Sequence, residues 1–388
     1  MKEGPKSTGS PGGARKIILT IRLLQRLGHE VFLLDSSHSS NSDGLFSEAN
    51  IASKHIGHQE ICVITPPLWR NRKVGKALQA FGAPKIARRQ AHLHKFDLVV
   101  IYNAYLFEVR VAQTLLRERS IPFILQLEDL PLARRRGVFN IKPAIENALF
   151  AATCKSAALI LCVSSAVSSF ARKYNDQLAL YPPIIDPRIE DYFQTRPNPF
   201  STSNINIGYF GGLNSEKGAH KILKLAQLLD SPYIVHVSGK GDLADQFKDL
   251  AKRYPHRVIY HGFVTDERLF ALLCTMDILV NPHDTSREFH QGVFPFKLYE
   301  YIASGSYVIT SKLPGAEADQ LGGLCYFDGS VEGLLEKIKA APSDYSERNQ
   351  RQLRETVQSI ASFSTMKERV GGAISRILLS RDRSGGAC

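Results

Sequence analysis

The chain has 388 residues, 44% hydrophobic and 22% charged, which is the balance of a globular protein large enough for two or more domains and excludes a disordered or fibrous class. Its longest apolar stretch, SAALILCVSSAV at 156–167, is too short to span a bilayer, and the N-terminus MKEGPKSTGSPGG lacks the apolar core of a secretory signal. A cytoplasmic protein without an integral membrane anchor is expected.

The net charge of +12 is unevenly divided. Residues 1–195 hold 26 Lys and Arg against 16 Asp and Glu, leaving 23 against 21 for the rest. The basic clusters WRNRKVGK (69–76), KIARRQAHLHK (85–95) and ARRR (133–136) favour an anionic partner, an anionic membrane surface or a phosphate-bearing lipid; solvated helix faces are the competing reading. No zinc-finger spacing or RNA-recognition signature is present, so no nucleic-acid partner is expected. The cysteines at 62, 154, 162, 274, 325 and 388 form no CxxC pair, and most sit in apolar company; buried free thiols are expected, with no metal.

In chain order, ARKIILTIRLLQRLG carries apolar residues at helical spacing and stops at Gly28. Strands are predicted at EVFLLD, ICVIT (61–65), FDLVVIYN (96–103), IPFILQLED (121–129) and ALILCVS (158–164), with helices between them. LALYPPIID closes the first half, and RPNPFSTSN (196–204) reads as a linker. A second run of βα units comes next: INIGYFGGL (205–213), YIVHVSGKG (233–241), VIYHGFV (258–264), DILVNP, a short helix within GVFPFKLYEYIASG (292–305), SYVITS and LCYFDG. Helices are predicted from Glu332 to Ala341 and from about Asp344 to Ile377. This alternation predicts an α/β protein of two Rossmann-like, doubly wound domains facing across a cleft, at 1–195 and 205–365, with a C-terminal helix and tail at 366–388 that crosses back to the first domain.

Glycine-rich turns at strand ends suit an anion, because they bring backbone N–H groups close to it. Gly12 and Gly13 stand at the start of the opening helix; Gly211 and Gly212, with Lys217, follow the first strand of the second run; Gly239 and Gly241 follow its second strand, and His261-Gly262-Phe263 its third. Several such turns in one parallel domain point to a nucleotide-type ligand. The GK[ST] ending of a P-loop is missing.

GGLNSEKG, VSGKG, HGFV and above all FPFKLYEYIASG resemble the nucleotide-sugar domain of the family-4 glycosyltransferases, which have the GT-B architecture, and GGARK…LGHEV is similar to that family's acceptor domain. The resemblance implies a retaining hexosyltransferase that uses a nucleotide sugar as donor substrate, needs no cofactor or metal, and acts on a glycan or lipid-linked acceptor; the basic first half suits such an acceptor carrying phosphate, peripherally at the inner membrane face, as in surface-polysaccharide assembly. It implies that Glu300 holds the ribose hydroxyls, that Lys217 neutralises the diphosphate with Lys297 sharing either job or pairing with Glu300, and that Gly12 and Gly13 close the donor phosphate side. Glu128 and Asp129 would orient the acceptor hydroxyl, with Tyr102 and Asn103 as further acceptor-side candidates. Three departures stand out: Gly292 where many members have a first glutamate, Phe296 where the FPSKLYEY subgroup has serine, and no arginine from Phe210 to Ser215. Glu288, His290 and Gln291 are at hand to replace lost polar contacts. Alternatives are a sugar-nucleotide epimerase or phosphorylase of the same architecture, and a non-catalytic nucleotide-sugar-binding protein.

A Rossmann-like domain also needs a strand just before its first glycine loop, yet residues 1–16 contain no apolar run. Its absence leaves backbone groups unpaired at about 1–3 kcal/mol each. The true or ancestral start is therefore expected upstream of Met1, and the 388-residue chain is expected to be unstable or poorly active; cooperative unfolding together with full turnover would contradict this.

Overall fold

The computed structural model describes residues 11–36, 46–47, 50–56, 59–66, 68–69, 72–130, 141–283, 295–312 and 321–385. The chain divides into two compact units, residues 1–181 with 366–388, and 182–365.

The first unit contains, in order, α1 (Pro11–Arg26), β1 (Phe32–Leu34), β2 (Phe46–Ser47), β3 (Asn50–Ile56), β4 (Gln59–Thr65), β5 (Leu68–Trp69), α2 (Arg72–Leu93), β6 (Val99–Tyr102), α3 (Leu106–Arg119), β7 (Phe123–Leu127), α4 (Ile141–Ser156), β8 (Leu159–Cys162), α5 (Ser165–Ala171) and β9 (Leu178–Leu180). β6-β7-β8-β9 form one parallel sheet, and β1-β4-β3 form another in which β3 runs antiparallel to β4. The polar sequence NIASKHI gave no strand signal for β3; its pairing with ICVIT along a seven-residue register, Asn50↔Thr65 to Ile56↔Gln59, makes it one.

The two sheets are not joined by hydrogen bonds among the described residues, where β1 pairs with β4 alone and β6 with β7 alone. No described strand precedes α1. What ties the sheets together instead is apolar packing and α1. Along β1, alternate side chains face opposite ways: Leu33 packs with Ile17 and Ile21 of α1, and Leu34 joins the cluster of Ala83, Ala87, Phe107 and Val111 that also takes in Val99 of β6. The neighbouring face of α1 turns to the other sheet, where Lys16 Nζ lies 2.6 Å from Glu128 Oε1 and donates to the Tyr181 carbonyl at 3.0 Å. Thr20 Oγ1 is 2.8 Å from Tyr181 Oη. Lys16 is only 1% exposed, and burial pulls its ammonium below the ordinary lysine value despite Glu128.

The second unit contains α6 (Arg188–Phe193), β10 (Ile205–Phe210), a 3₁₀ turn (Ser215–Lys217), α7 (Ala219–Leu228), β11 (Tyr233–Ser238), α8 (Ala244–Arg253), β12 (Val258–Tyr260), α9 (Asp266–Thr275), β13 (Ile278–Asn281), α10 (Phe296–Ala303), β14 (Tyr307–Ser311), β15 (Cys325–Phe327), α11 (Val331–Asp344) and α12 (Glu347–Ala361). Its six strands form one parallel sheet in the order β12-β11-β10-β13-β14-β15. The core packs Ile207, Tyr209, Val235, Val237, Ile278 and Ile309 of the strands against Ile222, Phe247 and Leu334 of the helices. Strand order reverses between β10 and β13, so loops leaving those neighbouring strands diverge and open a crevice beyond their carboxyl ends.

The division at Tyr181 and Pro182 lies before the 196–204 linker of the sequence reading, because 182–204 is held by the second unit. Ile185 N–H donates to Ala361 O at 2.9 Å, Arg188 pairs with Asp186 at 2.7 Å and Glu267 at 2.6 Å, and Glu190 pairs with Arg354. The single C-terminal helix expected from 344 onwards is two. Ser362 Oγ accepts from Thr365 N–H at 3.2 Å and starts α13 (Phe363–Gly385), whose Arg369 and Arg381 donate to Leu180 O and Asp97 O in the first unit. Cys154, Cys162 and Cys274 are buried free thiols pushed up to about 12, about 12 and about 11 by burial.

The buried pair yields a stability prediction. Lys16→Met strands the Glu128 carboxylate and is expected to destabilise the first unit by about 3–5 kcal/mol, whereas Lys16→Met with Glu128→Leu recovers most of the loss. Urea titration followed by fluorescence of Trp69, which belongs to this unit and is the only tryptophan in the chain, measures both.

Candidate functional site

The strongest site in the second unit is built where β10 ends. Phe210, its last residue, is bound through both backbone groups by one side chain: Tyr301 Oη accepts from Phe210 N–H at 2.8 Å and donates to Phe210 O at 2.8 Å. Tyr301 is 1% exposed, so neither bond competes with water. α10 is thereby fixed against the strand end. Its own limits are set by sequence: Pro295 immediately precedes it, and Gly305 at φ +78° lets the chain turn left-handed past its end.

This clasp sets Lys297, one turn earlier on α10, beside the turn that follows Phe210. Its Nζ lies 4.2 Å from the centre of the Tyr209 ring and 5.9 Å from that of Tyr301, and it would be 3.7 Å from a Cβ added to Gly211. From the 3₁₀ turn, the Lys217 stem would lie 3.4 Å from a Cβ on Gly212. Two lysines therefore flank Gly211 and Gly212. Tyr209 shapes this turn from below, donating from its buried hydroxyl to Gly212 O at 2.7 Å. Burial first, and then the charge of Lys217, lowers Lys297 to about 7. Among the described residues no carboxylate is ion-paired with Lys297, so the pairing with Glu300 weighed from the sequence is not made. Glu300 is buried in α10, 3% exposed.

The neighbouring loops lie against this turn. Gly239, at φ +154° after β11, passes so close that a Cβ would stand 1.8 Å from Gly211 O. Gly218, at φ +76°, would put a Cβ 1.8 Å from the carbonyl oxygen of Pro282, which follows β13. Both positions require glycine on steric grounds alone. Backbone bonds complete the arrangement: Gly211 N–H to Ser238 O at 2.9 Å, Leu213 N–H to Lys240 O at 2.8 Å and Gly239 N–H to Gly262 O at 2.9 Å. Gly211, Gly212, Gly239, Gly241 and Lys217, singled out from the sequence, thus meet beyond the carboxyl ends of β10 and β11. Lys240 adds its ammonium over the exposed Phe263 ring at 4.0 Å. Gly292, Glu288, His290 and Gln291 lie outside the described residues, as does the 133–136 basic cluster.

In the first unit, Asn103 organises the end of β7. At φ +59° it presents Oδ1 to the backbone N–H groups of Glu128 (2.8 Å) and Asp129 (3.1 Å), while its Nδ2 donates to Asp129 Oδ2 at 3.2 Å. Glu128 is committed inward, to Lys16 and to Gln126 Nε2 at 3.0 Å. Asp129 is exposed. The Tyr102 phenol is pushed far above its ordinary value by burial and by both carboxylates. Gly12 and Gly13 fall within the first turn of α1. Sequence reading missed Lys16, Tyr209 and Tyr301. Lys16 alone carried a signal, a lysine in helical register with the inward Leu19, Thr20 and Leu23.

Residues 11–188 match the family described as Glycosyltransferase Family 4, and residues 204–344 the one described as Glycosyl transferases group 1. No curated protein is a significant match. Among solved structures, the chain is similar to a sucrose-phosphate synthase from Thermosynechococcus elongatus (15% identity, 92% of this chain and 91% of that one, TM-score 0.67) and a glycosyltransferase from Rickettsia africae (16%, 95% and 96%, 0.66). It is also similar to Anabaena Alr3699/HepE in complex with UDP (16%, 81% and 86%, 0.59).

Tyr301→Phe tests the clasp. It leaves the buried Phe210 N–H without an acceptor and is expected to cost the second unit about 1–3 kcal/mol. Hydrogen–deuterium exchange at Phe210 and Gly211 is expected to accelerate, while Trp69 fluorescence reports an unaltered first unit.

Proposed function

We propose that this chain, a glycosyltransferase of GT-B fold built from a family 4 domain and a group 1 domain, moves a sugar from an NDP-sugar donor to an acceptor hydroxyl with retention. The observation that carries the donor half is the pairing of Lys297 and Lys217 about the Gly211-Gly212 turn, with Glu300 on the same helix as Lys297. In this reading the turn and the Gly239 and Gly241 loop offer backbone N–H groups to the diphosphate, and the two lysines balance its charge. That charge grows as the glycosidic C–O bond breaks and the nucleotide departs, so a cation held in place favours the transition state over the ground state. Glu300 accepts hydrogen bonds from both ribose hydroxyls, one carboxylate serving two donors. The UDP held by the Anabaena structure supports a nucleotide as the ligand of this fold.

On the acceptor side, Asp129 is the better placed of the two acidic candidates, since Asn103 orients its carboxylate and leaves it exposed, while Glu128 is occupied by Lys16. Asp129 orients the attacking hydroxyl. The excess of 26 basic over 16 acidic residues in 1–195 suits an acceptor with phosphate, a lipid-linked glycan at an anionic membrane surface. No helix of the described residues is long and apolar enough to cross a membrane.

A thermal-shift panel of UDP, GDP and ADP sugars identifies the base. Glu300→Ala is expected to abolish the shift, and Lys217→Ala to weaken nucleotide binding by about 1.5–3 kcal/mol, the worth of a charged hydrogen bond. Asp129→Asn is expected to leave the shift intact and to lower sugar transfer by about 10²–10⁴-fold. Nucleotide binding with no transfer to any acceptor would favour a non-catalytic binding protein, and donor consumption without acceptor an epimerase.

A further inference from the structure

Resting on the reading of a lipid-linked acceptor above, we propose that the solvent face of α2, with the start of α3 beside it, is the surface that seats the first unit on an anionic lipid bilayer. One side of α2 is taken up by the fold. Ala80, Ala83 and Ala87 are buried, the last two in the cluster they share with Phe107 and Val111 of α3, and side chains so small let the two helices approach closely. At about 3.6 residues per turn the opposite side of α2 carries Leu78, Phe81, Lys85 and Arg89. Phe81 is 73% exposed and Leu78 40%, and both basic residues are exposed. Across to α3, the Arg110 guanidinium stands 5.5 Å from the centre of the Phe81 ring, and Arg88 pairs with Glu118 at 2.6 Å. These two contacts advance together along both helices, so the helices run side by side in the same direction. Leu106, one turn before Arg110 and 48% exposed, is therefore level with Leu78. Three large apolar side chains are thus held out in water at one end of this helix pair, by helices whose inner sides are already packed.

The charge around them has one sign. From Ile61 to Phe96 the sequence holds eight Lys and Arg and no Asp or Glu. Glu118, the carboxylate of α3 that reaches α2, is held by Arg88 through two donors, and Lys85, Arg89 and Arg110 enter no ion pair among the described residues. A partner of this surface must therefore offer anionic groups and hydrocarbon within a few ångströms of each other. The headgroup region of an anionic bilayer does so, since an apolar helix face sinks about 5–10 Å to the acyl boundary while phosphates stay above it. Leu78, Phe81 and Leu106 enter that boundary, and the long stems of Lys85, Arg89 and Arg110 let their charges rise to the phosphates. A nucleic acid or an acidic protein segment would match the cations and leave the leucines in water.

Flotation of the full chain with lipid vesicles measures docking with no acceptor present. The wild type is expected to float with phosphatidylcholine vesicles that contain about 30% phosphatidylglycerol, not with phosphatidylcholine alone, and to be released as salt rises from about 0.1 to 0.5 M. Lys85→Gln with Arg89→Gln is expected to weaken capture about 25-fold, roughly fivefold for each cation near the surface. Leu78→Ser with Phe81→Ser is expected to weaken it about tenfold or more. Lys224→Gln with Lys248→Gln removes the same charge from exposed positions of the second unit and is expected to float like the wild type. In a Trp69→Phe background, the emission of Phe81→Trp is expected to shift to the blue on anionic vesicles and to be quenched by brominated lipid. All these side chains are exposed, so each variant is expected to keep the wild-type unfolding temperature. No capture of the wild type, capture undiminished in the Leu78 and Phe81 variant, equal loss in the second-unit control, or an unshifted emission from Phe81→Trp overturns the proposal. Preference for single-stranded RNA or polyglutamate over the vesicles overturns it too, in favour of a different partner. Any of these beside sugar transfer to a soluble acceptor leaves the transferase reading in place; docking as expected with no transfer to a lipid-linked acceptor removes the acceptor reading and supports the docking face.

Discussion

The candidate site of the second unit depends on one side chain that satisfies both backbone groups of one residue. At the end of a parallel strand the ladder stops, and the last N–H and C=O must find other partners or water. Tyr301 supplies both for Phe210, and in doing so joins α10 to β10 across 91 residues of sequence. Everything near the glycine turn depends on that join: Lys297 is set beside Gly211, Tyr209 is covered by a cation, and the loop after β11 has room only for glycine. A phenol suits the position because its body fills the core while its hydroxyl both donates and accepts.

Electrostatically the two units treat one lysine each in opposite ways. Lys16 is enclosed but matched, by Glu128, by the Tyr181 carbonyl and by the Tyr181 ring. That match lets a cation lie between sheets that share no ladder among the described residues. Lys297 is half-buried over the Tyr209 ring, ion-paired with no described carboxylate and beside a second lysine. The first arrangement uses a charge for structure. The second places two lysines beside a glycine turn.

Asn103 and Ser362 show smaller devices of the same kind. Asn103 adopts a left-handed backbone and uses its amide to bracket the two residues after β7, which turns Glu128 inward and leaves Asp129 out. Ser362 interrupts a long helical run and caps the helix beyond it, dividing α12 in one unit from α13, most of which belongs to the other.

Most of the architecture was legible in the chain itself. Apolar runs of about four to six residues between helical patterns located most of the parallel strands of both units, because a parallel strand buried on both faces cannot tolerate polar residues. Glycines at strand ends located the tight turns of the second unit, because only glycine allows backbones to approach so closely, as at Gly218 and Gly239. Tertiary structure decided the rest. Which acidic residue after β7 is committed and which is open turned on Lys16, more than a hundred positions away; whether Lys297 pairs with Glu300 turned on the rings around it. The strand β3 exists through its partner rather than its composition. In each case the deciding quantity is the environment of a polar group, its burial and its neighbours, and that is set by contacts between segments remote in sequence, which no local pattern encodes.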